Sequence, residues 1–116
     1  MLLEIETKHA DPDITIVSLT GRIVLGLESA SVEKQMTDLL ARNEKKVVLD
    51  IGDVSYIDST GMGVITLCFT MMKKAGGGLR IARAKEQVWR QFKITKLDTV
   101  LMFSPSVEAA CEGFAP

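Results

Sequence analysis

One histidine and two cysteines leave this chain of 116 residues little with which to do metal or nucleophilic chemistry. His9 stands near the N-terminus and reads as a surface residue, and no second base is available to activate a hydroxyl. Cys68 and Cys111 have neither CxxC nor metal-ligand spacing. They are expected to be buried free thiols of a reducing compartment. Charge of one sign is also missing. With 14 basic and 15 acidic side chains the net charge is −1, which provides no overall field for nucleic acid or for an anionic membrane. The longest apolar stretch, "GMGVITLCFTMM", is well short of the ~20 residues of a spanning helix, so direct membrane insertion is not expected. The opening "MLLEIETKHA" has no basic start followed by an apolar core. No signal peptide is expected, and the cytoplasm is the expected location. No catalytic residue, metal site or cofactor is expected either.

What is present is a regular alternation. "LLEIETK" and "ITIVSLTG" alternate with period two around the turn residues Asp11-Pro12-Asp13, which predicts a hairpin. A connector, "GRIVLGLES", leads to a helical pattern from Ser29 to Arg42 through Val32, Met36, Leu39 and Leu40. "KVVLDI" is a continuous apolar run, typical of a strand covered on both faces. A second helix is predicted from Ser59 to Lys74, stopped by Gly76-Gly77-Gly78, and "LRIAR" is the next strand. A third helix over Lys85–Thr95 precedes the strand "TVLMF". In "SPSVEAACEG" Ser104 is the expected cap and Pro105 the first helical residue of the last helix, with Gly113 after its end. The order β-β-α-β-α-β-α-β-α calls for right-handed crossovers and a mixed, mostly parallel sheet in one α/β domain, residues 1–116.

The chemistry concentrates in "VSYIDSTGMGVI", residues 54–65, where an apolar strand gives way to a greasy helix through Asp58-Ser59-Thr60-Gly61. Loops at the carboxyl ends of strands in such sheets are where ligands and partners are met. Asp58 and Ser59 are both helix-capping types, and capping alone would account for them. The helix argues for more. At ~100° per residue, Ser59, Gly63, Thr66, Thr70 and Lys73 fall on one stripe, while Met62, Ile65, Phe69 and Met72 lie beside it. A stripe this small and weakly polar suits contact with another chain. A phosphate on Ser59 would be tolerated by the free N–H groups and dipole of the helix start. It would place a charge of about −1.5 to −2 at the edge of a neutral surface. Thr60 is the competing acceptor. Other chemistries fit poorly. Asp58-Ser59-Thr60-Gly61 has one residue too many for the D-[ST]-G of aspartic proteases, and Gly76-Gly77-Gly78 precedes a strand, where a tight turn is the better account.

"DSTGMGVI" after "VVLDIGDVSYI" resembles the STAS family, specifically the bacterial anti-sigma factor antagonists. "ITIVSLTGRI", "AGGGLRIA" and "EQVWRQFKITKLDTVLMF" extend the likeness over nearly the whole chain. The resemblance implies a mixed sheet with helices mainly on one face. It implies phosphorylation of Ser59, with Asp58 and Thr60 adjacent, by an anti-sigma factor that is a serine kinase of the ATP-binding type. The unphosphorylated form would bind that kinase and free the sigma factor, and a PP2C-type phosphatase would restore it. The partner surface is expected on Gly61, Gly63, Thr66, Thr70 and Lys73, with Leu25, Gly26 and Leu27 of the connector. The connector departs from the family's usual residues, and Leu25-Gly26-Leu27 is an alternative dimer contact in a monomer or weak homodimer. Lys96 stands where relatives often have glycine. STAS-like domains also serve as scaffolds of stress-sensing assemblies and as partners of lipid transporters, which is the alternative role.

Overall fold

In the computed structural model, which describes residues 3–114, the period-two pattern becomes strands β1 (Glu4–Ala10) and β2 (Ile14–Ile23). They form an antiparallel hairpin in register from Glu4↔Thr20 to Ala10↔Ile14. Leu2, the first residue of the predicted strand, lies outside the described residues. Helix α1 (Leu27–Ala41), β3 (Lys46–Ile57), α2 (Ser59–Lys74), β4 (Gly78–Ala82), α3 (Glu86–Ile94), β5 (Met102–Ser104) and α4 (Val107–Glu112) follow. The sheet runs β1-β2-β3-β4-β5, with every pair after the hairpin parallel. Each parallel strand is added beside its predecessor, so crossovers of one hand set α1, α2 and α3 on the same face. Their apolar sides meet Val17, Leu49, Ile51 and Ile81 in the main core. Helix α4 follows the last strand and is free of that constraint. It covers the opposite face, placing Ala110 against Ile14, Val48 and Ala82.

That arrangement explains why "KVVLDI" is apolar without alternation. Val47, Leu49 and Ile51 point into the main core, whereas Val48 lies under α4. Asp50 falls on the same side as Val48, and its Oδ1 accepts from Arg83 Nε at 2.8 Å and from the Gly52 N–H at 3.0 Å. At the other end of the sheet, Glu44 accepts from His9 Nε2 (2.6 Å), Thr15 Oγ1 (2.8 Å) and Arg42 Nε (2.8 Å). Those bonds, Arg42's foremost, hold its carboxyl down at about 2. Phe92 is fully buried, worth about 1.5–3 kcal/mol, and meets Phe103 edge-on at 5.2 Å. Trp89 is half-buried against the same ring at 4.9 Å.

Several boundaries differ from the sequence pattern. Helix α1 starts at Leu27 rather than Ser29, and β2 extends through Gly21-Arg22-Ile23 into the expected connector. β5 is confined to residues 102–104 because Leu97–Thr99 winds into a 3-10 turn. Ser104 belongs to that strand, its carbonyl accepting from Arg83 N–H at 3.2 Å. The last helix therefore begins later, and Ser106 is its cap. Lys96 adopts φ +62°, the left-handed region that favours glycine.

β3 joins "KVVLDI" and the apolar strand end in "VSYI" into one strand that runs to Ile57. Its register against β2 shifts twice: Ser18↔Asp50 is followed by Thr20↔Asp53, and Gly21↔Val54 by Arg22↔Tyr56. Each shift inserts one extra residue in β3, a bulge that bends and twists a strand. β4 pairs only as far as Asp50. β1 in turn pairs only as far as Thr20, so beyond Thr20 and Asp53 β2 and β3 run on as a two-stranded arm, and the candidate site sits at its tip.

Candidate partner and modification site

Asp58 is the N-cap of α2, with extended backbone (φ −96°, ψ −178°). Its Oδ1 accepts from the Gly61 N–H at 2.8 Å, one of the bonds a helix start needs. Its Oδ2 does something else. It accepts from the Leu25 N–H at 3.0 Å, across 33 residues of sequence. The Asp58 N–H in turn donates to the Ile23 carbonyl at 3.2 Å. One carboxylate thus closes the helix and ties the connector to it. Partial burial pushes the Asp58 carboxyl up, but the bonds from Gly61, Leu25 and Thr60 outweigh it and hold the group below its ordinary value.

Because Asp58 takes the cap, Ser59 is left at the first helical position, exposed. Thr60 is half-buried. Gly61 is buried, which removes it from the expected partner surface. A Cβ there would stand 2.2 Å from the Ile23 carbonyl oxygen and 2.9 Å from Ile57 Cγ1. Only glycine lets the helix start approach the arm this closely. Gly63 is the opposite case: it is exposed, and a Cβ would meet nothing within 4 Å. The two glycines of "TGMG" look alike in sequence and serve different ends.

Further along α2, Thr66 is half-buried, while Thr70 and Lys73 are exposed. Thr66 Oγ1 donates to the Met62 carbonyl (2.9 Å) and Thr70 Oγ1 to the Thr66 carbonyl (3.1 Å). With their hydroxyls turned back on the helix, these threonines offer mainly methyl groups. Leu67 lies beside them, 43% exposed. The sequence reading missed it, although its spacing of four from Gly63 was the available signal. Lys73 Nζ sits over the Phe69 ring at 5.8 Å. Leu25 and Leu27 flank Gly26 and are 74% and 70% exposed. Gly26 takes φ +119°, which a side chain would resist.

Residues 5–110 match the model of the STAS domain family. The chain belongs to that family. It is 33% identical over 112 residues to the anti-sigma-B factor antagonist of Bacillus subtilis, with 97% of this chain and 100% of that protein covered. The crystal structure of an anti-sigma factor antagonist from Mycobacterium paratuberculosis superposes with a TM-score of 0.83 at 17% identity, covering 98% and 95% of the two chains. The Bacillus cell fate determinant SpoIIAA in its phosphorylated form superposes with a TM-score of 0.72 at 12% identity, covering 95% and 99%. These two likenesses concern the fold. Among the described residues of this STAS domain no three His, Cys, Asp or Glu side chains group to hold a metal ion. No helix among them is long and apolar enough to cross a membrane.

Proposed function

We propose that this STAS domain is an anti-sigma factor antagonist switched by phosphorylation of Ser59. In its unphosphorylated form it binds an anti-sigma factor, itself a serine kinase of the ATP-binding type, and the sigma factor is released. A PP2C-type phosphatase reverses the modification. The protein acts by binding rather than catalysis. The relative named as an anti-sigma-B factor antagonist supports this role over 97% of this chain and the whole of that protein. The geometric observation that carries the switch is the division of labour at the helix start: Asp58 holds the cap and connector, and Ser59 remains exposed beside them. Both Asp58 oxygens are already engaged, so a phosphate on Ser59 can be added without unmaking the cap. It is favoured by the helix dipole and opposed at the interface by desolvation and repulsion. The partner surface runs along Ser59, Gly63, Thr66, Leu67 and Thr70, with Lys73 and Leu25–Leu27 at its rim.

Incubation with the native kinase and ATP, followed by mass spectrometry, should put the label on Ser59. Label on Thr60 alone would sink the assignment. Gly63→Arg should abolish binding to that kinase with stability changed by no more than ~1 kcal/mol. Equal binding by the wild type, Ser59→Ala and Ser59→Asp forms would instead place the protein with STAS scaffold or transporter subunits.

A further inference from the structure

Strand β1 ends the sheet. Among the described residues it pairs with β2 alone, so alternate backbone N–H and C=O groups of Glu4–Ala10 face outward with no strand of those residues beside them, as on any sheet edge. Proteins commonly blunt such edges with charge, and Glu4, Glu6 and Lys8 do alternate along the exposed side of β1. The order of the signs has a further consequence. If two copies meet edge to edge, antiparallel about a two-fold axis normal to the sheet, each residue keeps its face. An axis through Glu6 would oppose Glu6 to itself, and an axis through Lys8 would oppose Lys8 to itself. An axis through Thr7 sets Glu6 against Lys8 on both sides, Ile5 against His9 and Glu4 against Ala10. That register uses the whole strand and opposes no like charges.

The strand is also held ready. Gln35 Nε2 of α1 donates to Thr7 Oγ1 at 2.9 Å, and His9 is bonded to Glu44. Little ordering is left to be done on docking. Glu6 and Lys8 are 3.5 Å apart within one chain, with both side chains about two-thirds exposed (69% and 68%). So exposed a pair contributes little and is free to exchange partners. We propose that β1 is a homotypic docking edge: a second copy of this chain adds antiparallel in the Thr7-centred register, joining the two sheets into one. Ladder hydrogen bonds supply the attraction, and the Glu6–Lys8 cross-pairs select the register.

Sedimentation equilibrium of the full chain over a range of concentrations should show a reversible dimer. Glu6→Lys should weaken it at least tenfold, and the exchanged pair Glu6→Lys with Lys8→Glu should restore it to within about threefold. Far-UV circular dichroism checks that each variant is folded. For the register, Thr7→Cys in a Cys111→Ser background should give a disulfide-linked dimer on oxidation, since opposed antiparallel residues lie ~4.5–5.5 Å apart. Ile5→Cys, opposed to His9, should not. A wild type that stays monomeric throughout overturns the proposal. So does a dimer indifferent to Glu6→Lys, one not rescued by the exchange, or one lost on Leu25→Ser or Leu27→Ser instead.

Discussion

The starts of α2 and α4 are closed by the same local bond. Asp58 Oδ1 accepts from the Gly61 N–H at 2.8 Å, and Ser106 Oγ accepts from the Ala109 N–H at 3.0 Å, each three residues on. The surroundings differ. Ser106 has one side-chain oxygen, and the bond it accepts stays within its own helix. Asp58 has two, and the second reaches Leu25 on another element. The donor residues differ for a related reason. Alanine fits at position 109, whereas at 61 a methyl group would strike the Ile23 carbonyl. One cap ends a helix; the other joins a helix to a connector, beside the proposed modification site at Ser59.

The largest expected effect is at the donor. Gly61→Ala should cost about 2–3 kcal/mol in urea denaturation, because the obstacle is backbone and cannot turn aside. Gly63→Ala, with open space around it, should be neutral or stabilise by up to ~1 kcal/mol. Equal effects would mean that close approach does not set position 61.

Next comes the acceptor. Asp58→Ala should lose about 2 kcal/mol, the cap and the connector bond together. Asp58→Ser should regain about half, restoring the cap but leaving the Leu25 amide to exchange faster with solvent. Ser106→Ala should lose only ~1 kcal/mol. A serine at 58 that protects Leu25 as well as aspartate does would erase the distinction between the two caps.

Acid should separate them as well. The Asp58 pKa is lowered in the fold, so its contribution is complete above the unfolded value and lost as pH falls through the folded one. Amide protection at Gly61 should therefore fall in acid before that at Ala109, whose acceptor does not titrate. Glu44, lowered from 4.5 to about 2, contributes with the same sign. Glu44→Gln should remove part of the acid dependence of global stability between those two values.

The smallest change in stability is expected for Ser59→Asp, a stabilisation of ~0.3–1 kcal/mol from charge at a helix start. Kinase binding should nevertheless weaken at least tenfold, about 1.4 kcal/mol. A collapse in melting temperature would show that Ser59 belongs to the cap after all.

The order of elements, the hairpin and the β-α alternation were legible in the sequence because periodicity and turn chemistry act between residues a few positions apart. So was the place of Asp58 and Ser59 at a strand-to-helix junction, since capping types there are a local signal. Which of the two would cap was not, and neither was the cap at Ser106. That depends on where each strand stops, and the stop is set by pairing with a neighbour, as Ser104 shows with Arg83. The two bulges of β3, the burial of Gly61 and the bond from Leu25 to Asp58 were decided only in the tertiary structure. Each depends on contacts between residues about 32 to 38 positions apart, beyond the few-residue span in which a local pattern carries information.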